Sequence, residues 1–205
     1  MHSGFMIDRY RYPIVNCFSE LGLAYKLAIV FAFAGLTGLM AQFRIPLPFT
    51  PVPVTGQVLA VLLSGIFLGG YYGCLSQICY LGFGIAGIPW FSNAVGGLSI
   101  IKGITGGYLI GFVPAALLIG WFTKRYDSAR RFHFQLLLML TGTAIIYAAG
   151  GIQFSVITNS GITQTWNLAI FPFIPVDLMK ATIAAFISTL LLKKSHAATH
   201  GNNAC

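Results

Sequence analysis

Long apolar stretches fill the chain from residue 21 onward, and polar residues gather in the short segments between them. The six stretches are residues 21–43, 54–69, 71–88, 104–122, 134–157 and 170–192. A helix needs about 20 apolar residues to cross a bilayer, within a range of roughly 17–25. The second and third stretches are short and rich in glycine, and they meet at Gly69 and Gly70. The pattern therefore predicts six transmembrane helices, of which the second and third are tilted, broken or packed together as a hairpin.

The composition favours a membrane protein and argues against one that binds nucleic acid. Of the 205 residues, 57% are hydrophobic and 8% are charged, whereas a soluble domain carries about 25% charged residues. The net charge of +8 comes from basic residues that stand between the apolar stretches and do not form one phosphate-binding face. We predict an all-α integral membrane protein of one domain. It has a cytoplasmic or interfacial N-terminus over residues 1–20, a compact bundle over 21–194 and a disordered tail over 195–205.

The distribution of basic residues predicts which side of the membrane each segment faces. With both termini in the cytoplasm, most basic residues fall on the cytoplasmic side: Arg9, Arg11, Lys26, Lys124, Arg125, Arg130, Arg131, Lys193 and Lys194. Arg44 and Lys102 then face outward, and Lys180 lies within a helix. Cytoplasmic segments carry an excess of lysine and arginine, so the sequence favours this orientation. It places three connectors on the outer side: residues 44–57, 89–108 and 158–168.

One acid and one base interrupt the start of the last apolar stretch. Asp177 and Lys180 lie three residues apart and therefore share one face of the predicted helix. Charges inside a transmembrane segment are costly and usually face a cavity or each other. The two residues form either a structural pair near a helix end, with Lys180 reaching the interface, or a ligand site. Aspartate accepts N–H groups and lysine donates to a carbonyl, so such a site suits a urea or an amide.

The predicted outer connector 44–57 is rich in proline. Four prolines within eight residues exclude a helix, and we expect a stiff, extended segment. Gln57 follows it at the start of the next helix, where a polar side chain can face a pocket. Arg44 begins the connector and is one of two basic residues on the predicted outer side.

The predicted outer connector 89–108 is apolar and rich in glycine. It contains the aromatic pair Trp90 and Phe91, together with Asn93 and Lys102. A segment this apolar does not extend into water, so we expect it to fold back as a lid or a re-entrant segment. Its paired glycines do not match the nucleotide-binding loop pattern.

Small residues recur along the first predicted helix. Ala24, Ala28 and Ala32 are four residues apart and share one face, which lets another helix approach closely. This face either packs within the bundle or docks a partner subunit, and the sequence favours neither. No pattern predicts a bound metal, because the four cysteines lack zinc or redox spacing and the two histidines near the C-terminus, His196 and His200, are isolated.

Three motifs in this order resemble the BioY family, the biotin-capturing S components of energy-coupling-factor (ECF) transporters. They are I-P-L-P-F-x-P-V-P-V-T-x-Q (45–57), G-G-L-x-x-x-x-G-x-T-G-G-Y-L-I-G-F (96–112) and F-x-P-x-D-x-x-K (173–180). The resemblance covers about residues 24–194. It implies a six-helix bundle in the cell membrane, a biotin site near the outer face and docking of the first helix on a transmembrane coupling (T) subunit. Two cytoplasmic ATPase (A) subunits complete such a complex, and some family members are thought to act alone.

The resemblance also implies roles for individual residues. Asp177 and Lys180 would bind the ureido head of biotin, and Asn93 would assist them. The remaining expected ligand contacts are Trp90, Phe91 and Tyr108 for the rings, Gln57 in the pocket, and Lys102 or Arg44 for the carboxylate. Gly106 and Gly107, just before Tyr108, are expected to act as the hinge of a lid, because glycine tolerates positive φ and the close approach of another backbone. The alternative is that they only permit tight helix packing.

The leading hypothesis is a biotin capture protein that catalyses no reaction and binds no cofactor. The sequence has no nucleotide-binding motif, so ATP would be used only by partner subunits. One alternative is an S component for another water-soluble vitamin. A small membrane enzyme is disfavoured because the predicted helices contain few titratable groups. A membrane scaffold is disfavoured because it needs no buried Asp177–Lys180 pair.

Overall fold

The computed structural model describes Phe18, residues 21–126 and residues 131–191. The elements in chain order are α1 (Leu23–Gln42), β1 (Arg44–Leu47), β2 (Thr50–Thr55), α2 (Gln57–Ile85), α3 (Leu98–Lys102), α4 (Gly106–Arg125), α5 (Phe132–Thr158), α6 (Ile162–Thr165) and α7 (Ile174–Leu191). The rest of the predicted N-terminal segment 1–20 and the tail 195–205 lie outside the described residues. So do five of the basic residues used to predict the orientation: Arg9, Arg11, Arg130, Lys193 and Lys194.

Five helical segments of the described chain are long and apolar enough to cross a membrane. They are Leu23–Gln42, Gln57–Ile85, Gly106–Arg125, Phe132–Thr158 and Ile162–Leu190. The first, fourth and fifth apolar stretches predict α1, α4 and α5 to within a few residues. The main core forms where α2, α4, α5 and α7 meet, and it includes Leu62, Ile119, Met139 and Ala184.

The α2 segment folds back on itself at Gly69, where φ of 75° and ψ of 177° leave the helical region. Gln57 Nε2 donates to Tyr80 Oη at 2.7 Å, and Gln77 Nε2 donates to Ser64 Oγ at 3.1 Å. In a straight helix these pairs would be about 35 Å and about 20 Å apart, at 1.5 Å per residue. The second and third predicted stretches therefore form a helical hairpin. Each of its arms, 57–68 and 70–85, is shorter than the ~17 residues at the lower end of the spanning range.

Helix α1 packs on this hairpin along one face. Its buried residues include Val30, Ala34, Thr37 and Gly38. The predicted ladder of small residues lies on another face, because Ala24, Ala28 and Ala32 are all exposed. The described residues therefore do not pack on this ladder.

The expectation of an all-α fold needs one correction. Residues 44–55 form a two-stranded antiparallel sheet, in which Arg44 pairs with Thr55, Ile45 with Val54 and Leu47 with Thr50. This hairpin contains four prolines, at positions 46, 48, 51 and 53. They excluded a helix but did not indicate that the two halves of the segment would pair as strands. The N–H of Gly56, which follows β2, donates to Met40 O and Phe43 O at the end of α1.

The predicted polar loop 158–168 is also corrected, since most of it is helical. After α6, residues Trp166–Ile170 form a π-helical turn and Phe171–Phe173 a 3₁₀ turn before α7 begins at Ile174. Proline at 172 and at 175 cannot donate a backbone hydrogen bond, so this segment cannot continue as a regular helix. The irregular turns bring the start of α7 against β2, where Phe173 packs with Val52 and Val54.

Candidate functional site

One cavity opens between the β-hairpin, the loop 86–97 and the helices α4, α5 and α7. Its volume is about 200 Å³, more than ten times the ~10–15 Å³ that one water molecule requires. Apolar residues form most of the lining, among them Val54, Phe91, Leu109, Phe112 and Ile146. A smaller number of polar side chains face the same space, which is the usual construction of a small-molecule site.

Asp177 and Lys180 form a buried ion pair at the wall of this cavity. Lys180 Nζ lies 2.6 Å from Asp177 Oδ1, and the two residues are only 8% and 4% exposed. Lys180 Nζ also donates to Thr55 O at the end of β2. A buried charge pair is tolerated when hydrogen bonds satisfy its remaining donors and acceptors. Asp177 is the only acidic residue in the described part of the chain, and it lies in the first turn of α7, where the helix dipole stabilises an anion.

Tyr147 completes this polar group and was not found from the sequence. Its hydroxyl on α5 donates to Asp177 Oδ2 at 2.7 Å, so both carboxylate oxygens already accept a hydrogen bond. Both oxygens keep further lone pairs for a ligand N–H. The available signal was a lone tyrosine in an apolar helix, because a buried phenol needs a hydrogen-bond partner. The sequence did not indicate which partner it would find.

Gln57 and Tyr108 also line the cavity, as predicted. Gln57 is held at both ends of its amide, since it donates to Tyr80 Oη at 2.7 Å and accepts from Thr55 Oγ1 at 2.9 Å. Tyr108 donates its hydroxyl to Ala169 O in the π-helical turn. Both side chains are therefore fixed by the protein, and Tyr108 presents its ring to the cavity.

The loop 86–97 contributes Phe91, Ser92 and Val95 to the lining. The ring of Phe91 is buried in space that Gly84 leaves free, since a Cβ at Gly84 would collide with it. Ser92 Oγ is buried and has no hydrogen-bond partner among the described residues. An unpaired hydroxyl beside a cavity is a group that a ligand can satisfy.

Three of the predicted ligand contacts do not reach the cavity. The side chain of Trp90 points away from the cavity. Its ring packs on Gly38 and Tyr80, and its indole Nε1 donates to Tyr80 O at 2.9 Å. Asn93 and Lys102 are exposed and do not line the cavity. Arg44 does line it, so of the two basic residues considered for a carboxylate, the structure brings only Arg44 to the site.

The two glycines expected to form a hinge are packed inside the helical bundle. Gly106 and Gly107 are buried in the first turn of α4, and neither has positive φ. A Cβ at Gly107 would collide with Ala149 O of α5, and one at Gly106 with Ile101 O. The geometry matches the alternative interpretation, close helix packing. A role in lid motion remains a prediction.

Comparisons with known proteins agree with one another. The model of the BioY family matches residues 14–197. A protein of Methanothermobacter thermautotrophicus named "Probable biotin transporter BioY" is 40% identical over 139 residues, covering 64% of this chain and 88% of that protein. The "Biotin transporter BioY" of Thermotoga maritima is 38% identical over 150 residues, covering 73% and 86%. A crystal structure described as the S-component for biotin from an ECF-type ABC transporter has a TM-score of 0.76 at 26% identity, covering 82% and 90%.

Proposed function

The chain belongs to the BioY family, and from this premise we propose that it takes up biotin across the cell membrane as the substrate-capture S component of an ECF-type transporter. The observation that carries the proposal is the buried group of Asp177, Lys180 and Tyr147 at the wall of an otherwise apolar cavity. Biotin has one compact polar head on an apolar bicyclic body, and this cavity offers the matching distribution of groups.

Each part of biotin has a partner in the cavity. The ureido N–H groups donate to Asp177, and the ureido oxygen accepts from Lys180, whose ammonium has a third donor beyond the bonds to Asp177 and Thr55. The fused rings rest on Phe91 and Tyr108. The valerate carboxylate extends toward Arg44, the exposed base at the edge of the lining. Asn93 and Trp90 contact the ligand only if the loop 86–97 rearranges, and Lys102 only if α3 moves.

The protein acts as a multi-pass membrane carrier, and we assign it to the cytoplasmic membrane with both termini inside. Six crossings follow if both arms of the α2 hairpin span the bilayer in a tilted arrangement. The cavity then opens outward and receives biotin from outside the cell. The protein catalyses no reaction, and ATP is hydrolysed by two partner ATPase subunits. The transmembrane T subunit docks on the exposed face of Ala24, Ala28 and Ala32, where small side chains permit close helix approach.

Isothermal titration of the purified protein tests the proposal. We expect one biotin per chain, with biotin binding at least ~100-fold tighter, about 2.7 kcal/mol, than any other water-soluble vitamin in a panel. Tighter binding of another vitamin would show that the protein is an S component of different specificity. No binding of any vitamin would contradict the proposed function.

A further inference from the structure

In the described chain, the hydrogen bonds between α1 and the loop 86–97 run through one side chain, beside the packing of Trp90 on Gly38. Gln42, the last residue of α1, has its Nε2 atom 3.1 Å from Phe91 O and 3.3 Å from Trp90 O. Its Oε1 atom accepts a hydrogen bond from Ala94 N at 3.0 Å. One exposed amide thus holds the loop at both sides of its turn.

A simpler role for Gln42 would be to cap its own helix, because Nε2 also lies 3.1 Å from Gly38 O. An amide nitrogen has two hydrogens, so it can serve two of the three carbonyls at a time. Capping α1 uses the donor end alone. It leaves the bond from Ala94 to the acceptor end unexplained, and that bond joins α1 to the loop.

The turn that Gln42 holds has an unfavourable backbone conformation. Asn93 and Ala94 are consecutive residues with positive φ, at 75° and 54°. A residue with a Cβ is disfavoured in this region, alanine more than asparagine. Such a conformation persists when surrounding interactions enforce it. Here those interactions include the Phe91–Val95 bridge and the hydrogen bond from Ala94 to Gln42.

The position of this turn affects the cavity directly. Phe91 and Ser92 precede it and line the cavity, and the buried Ser92 hydroxyl has no partner among the described residues. A displacement of the turn moves this section of the wall and exposes the ligand space.

We propose that Gln42 is a positioning residue, whose amide keeps the loop 86–97 closed over the cavity and thereby sets how fast a ligand enters and leaves. The inference rests on the proposed function for the identity of the ligand, biotin. It does not require Gln42 to touch the ligand.

Gln42→Met tests the proposal, since methionine keeps the length of the side chain and removes both the donor and the acceptor. Gln164→Met is the matched control, because Gln164 is exposed on α6 and does not line the cavity. We expect labelled biotin to leave Gln42→Met at least about tenfold faster, a factor equal to about 1.4 kcal/mol, and to enter no more slowly than in the wild type. A residue that acted only by contacting the ligand would change the dissociation rate of biotin and leave hydrogen exchange in the unliganded loop unchanged. Hydrogen exchange over residues 90–95, measured without ligand, should also become faster, while the thermal midpoint stays unchanged.

Gln42→Glu provides a second variant, because it keeps an acceptor for Ala94 but turns a carboxylate oxygen toward Trp90 O and Phe91 O. We expect it to share the fast dissociation. Wild-type dissociation and wild-type loop exchange in both variants would overturn the proposal. Faster exchange throughout the helices would also overturn it, since Gln42 would then stabilise the whole fold. If the wild type binds no biotin, the proposed function fails, and the exchange of the unliganded loop alone decides the role of Gln42.

Discussion

The two walls of the cavity are built in different ways. On the helical wall, Asp177, Lys180 and Tyr147 lie on α5 and α7, and their hydrogen bonds are made with each other or with the backbone of β2. On the loop wall, Phe91 and Ser92 lie on a segment with two strained residues that an exposed glutamine holds in place.

The difference separates recognition from access. Polar groups that are fixed before the ligand arrives need little reordering, so more of their interaction energy appears as affinity. Phe91 anchors the loop in the core, but the turn at Asn93 and Ala94 is held by an exposed amide. Such a turn opens at lower free energy than a packed helix. We therefore expect changes on the helical wall to alter how tightly biotin binds, and changes on the loop wall to alter how fast it exchanges.

The largest effect is expected from removing one member of the ion pair. Asp177→Asn and Lys180→Met each leave a buried partner uncompensated, which costs about 3–5 kcal/mol, and should weaken biotin binding at least about 100-fold. Titration calorimetry on folded protein measures this loss. Lys102→Met serves as the control, because this exposed lysine does not line the cavity. Near-wild-type affinity in both pair variants would remove the pair from the binding site.

A smaller effect is expected from Tyr147→Phe, which deletes the hydroxyl that bonds Asp177 and keeps the ring. A hydrogen bond to a charged group contributes about 1.5–3 kcal/mol. Water that bonds the freed Asp177 oxygen would compensate part of this free energy. We therefore expect biotin affinity to fall about tenfold. Tighter binding in the variant would mean that Tyr147 competes with the ligand for Asp177 and does not orient it.

These two predictions show where reasoning from sequence succeeds and where it stops. Asp177 and Lys180 stand out because charges are rare in apolar stretches, and their spacing places them on one helix face. The role of Tyr147 depends on how α5 packs against α7, and no local pattern encodes that packing. Trp90 and Phe91 are adjacent in the loop 86–97, yet Phe91 lines the cavity while Trp90 packs against α1. No local pattern indicates which of the two faces the cavity.

The bounds of the long helices followed from hydropathy, because burial in lipid requires long apolar helices whatever the tertiary fold. The pairing of β1 with β2 did not follow, since four prolines excluded a helix without identifying a partner strand. The two glycines before Tyr108 allowed two interpretations for a related reason. Glycine serves both turns and close helix contacts, and only the position of Ala149 distinguishes the two uses.

The third prediction concerns Gly107 and tests whether this part of the bundle is rigid. Valine at this position would collide with the backbone of α5, and overpacking of this kind costs about 1–3 kcal/mol. We expect Gly107→Val to lower the thermal midpoint by about 5 °C and to leave biotin association unchanged. Gly82→Val is the control, since a Cβ there meets open space. Slower association at an unchanged midpoint would instead support a hinge at Gly107.

The smallest effect on binding is expected at the exposed ladder of α1. Ala28→Trp adds a large ring to a face on which none of the described residues packs, so biotin affinity should stay at the wild-type value while uptake in cells is lost. Ala144→Trp, at an exposed alanine on α5, should affect neither property. If Ala28→Trp weakens biotin binding, the ladder supports the bundle and is not a docking face.

The prolines of the small sheet have a consequence for solubility. A sheet of two strands has two open edges, and an open edge can template a strand from another molecule. In the hairpin 44–55, proline occupies position 46 of β1 and positions 51 and 53 of β2, and none of these residues has an N–H to offer to an incoming strand. When membrane proteins are crowded, an open strand edge outside the bilayer can pair with the strand edge of a neighbouring molecule. This hairpin keeps the shape of a sheet at the cavity while it lacks the regular row of donors that such aggregation requires.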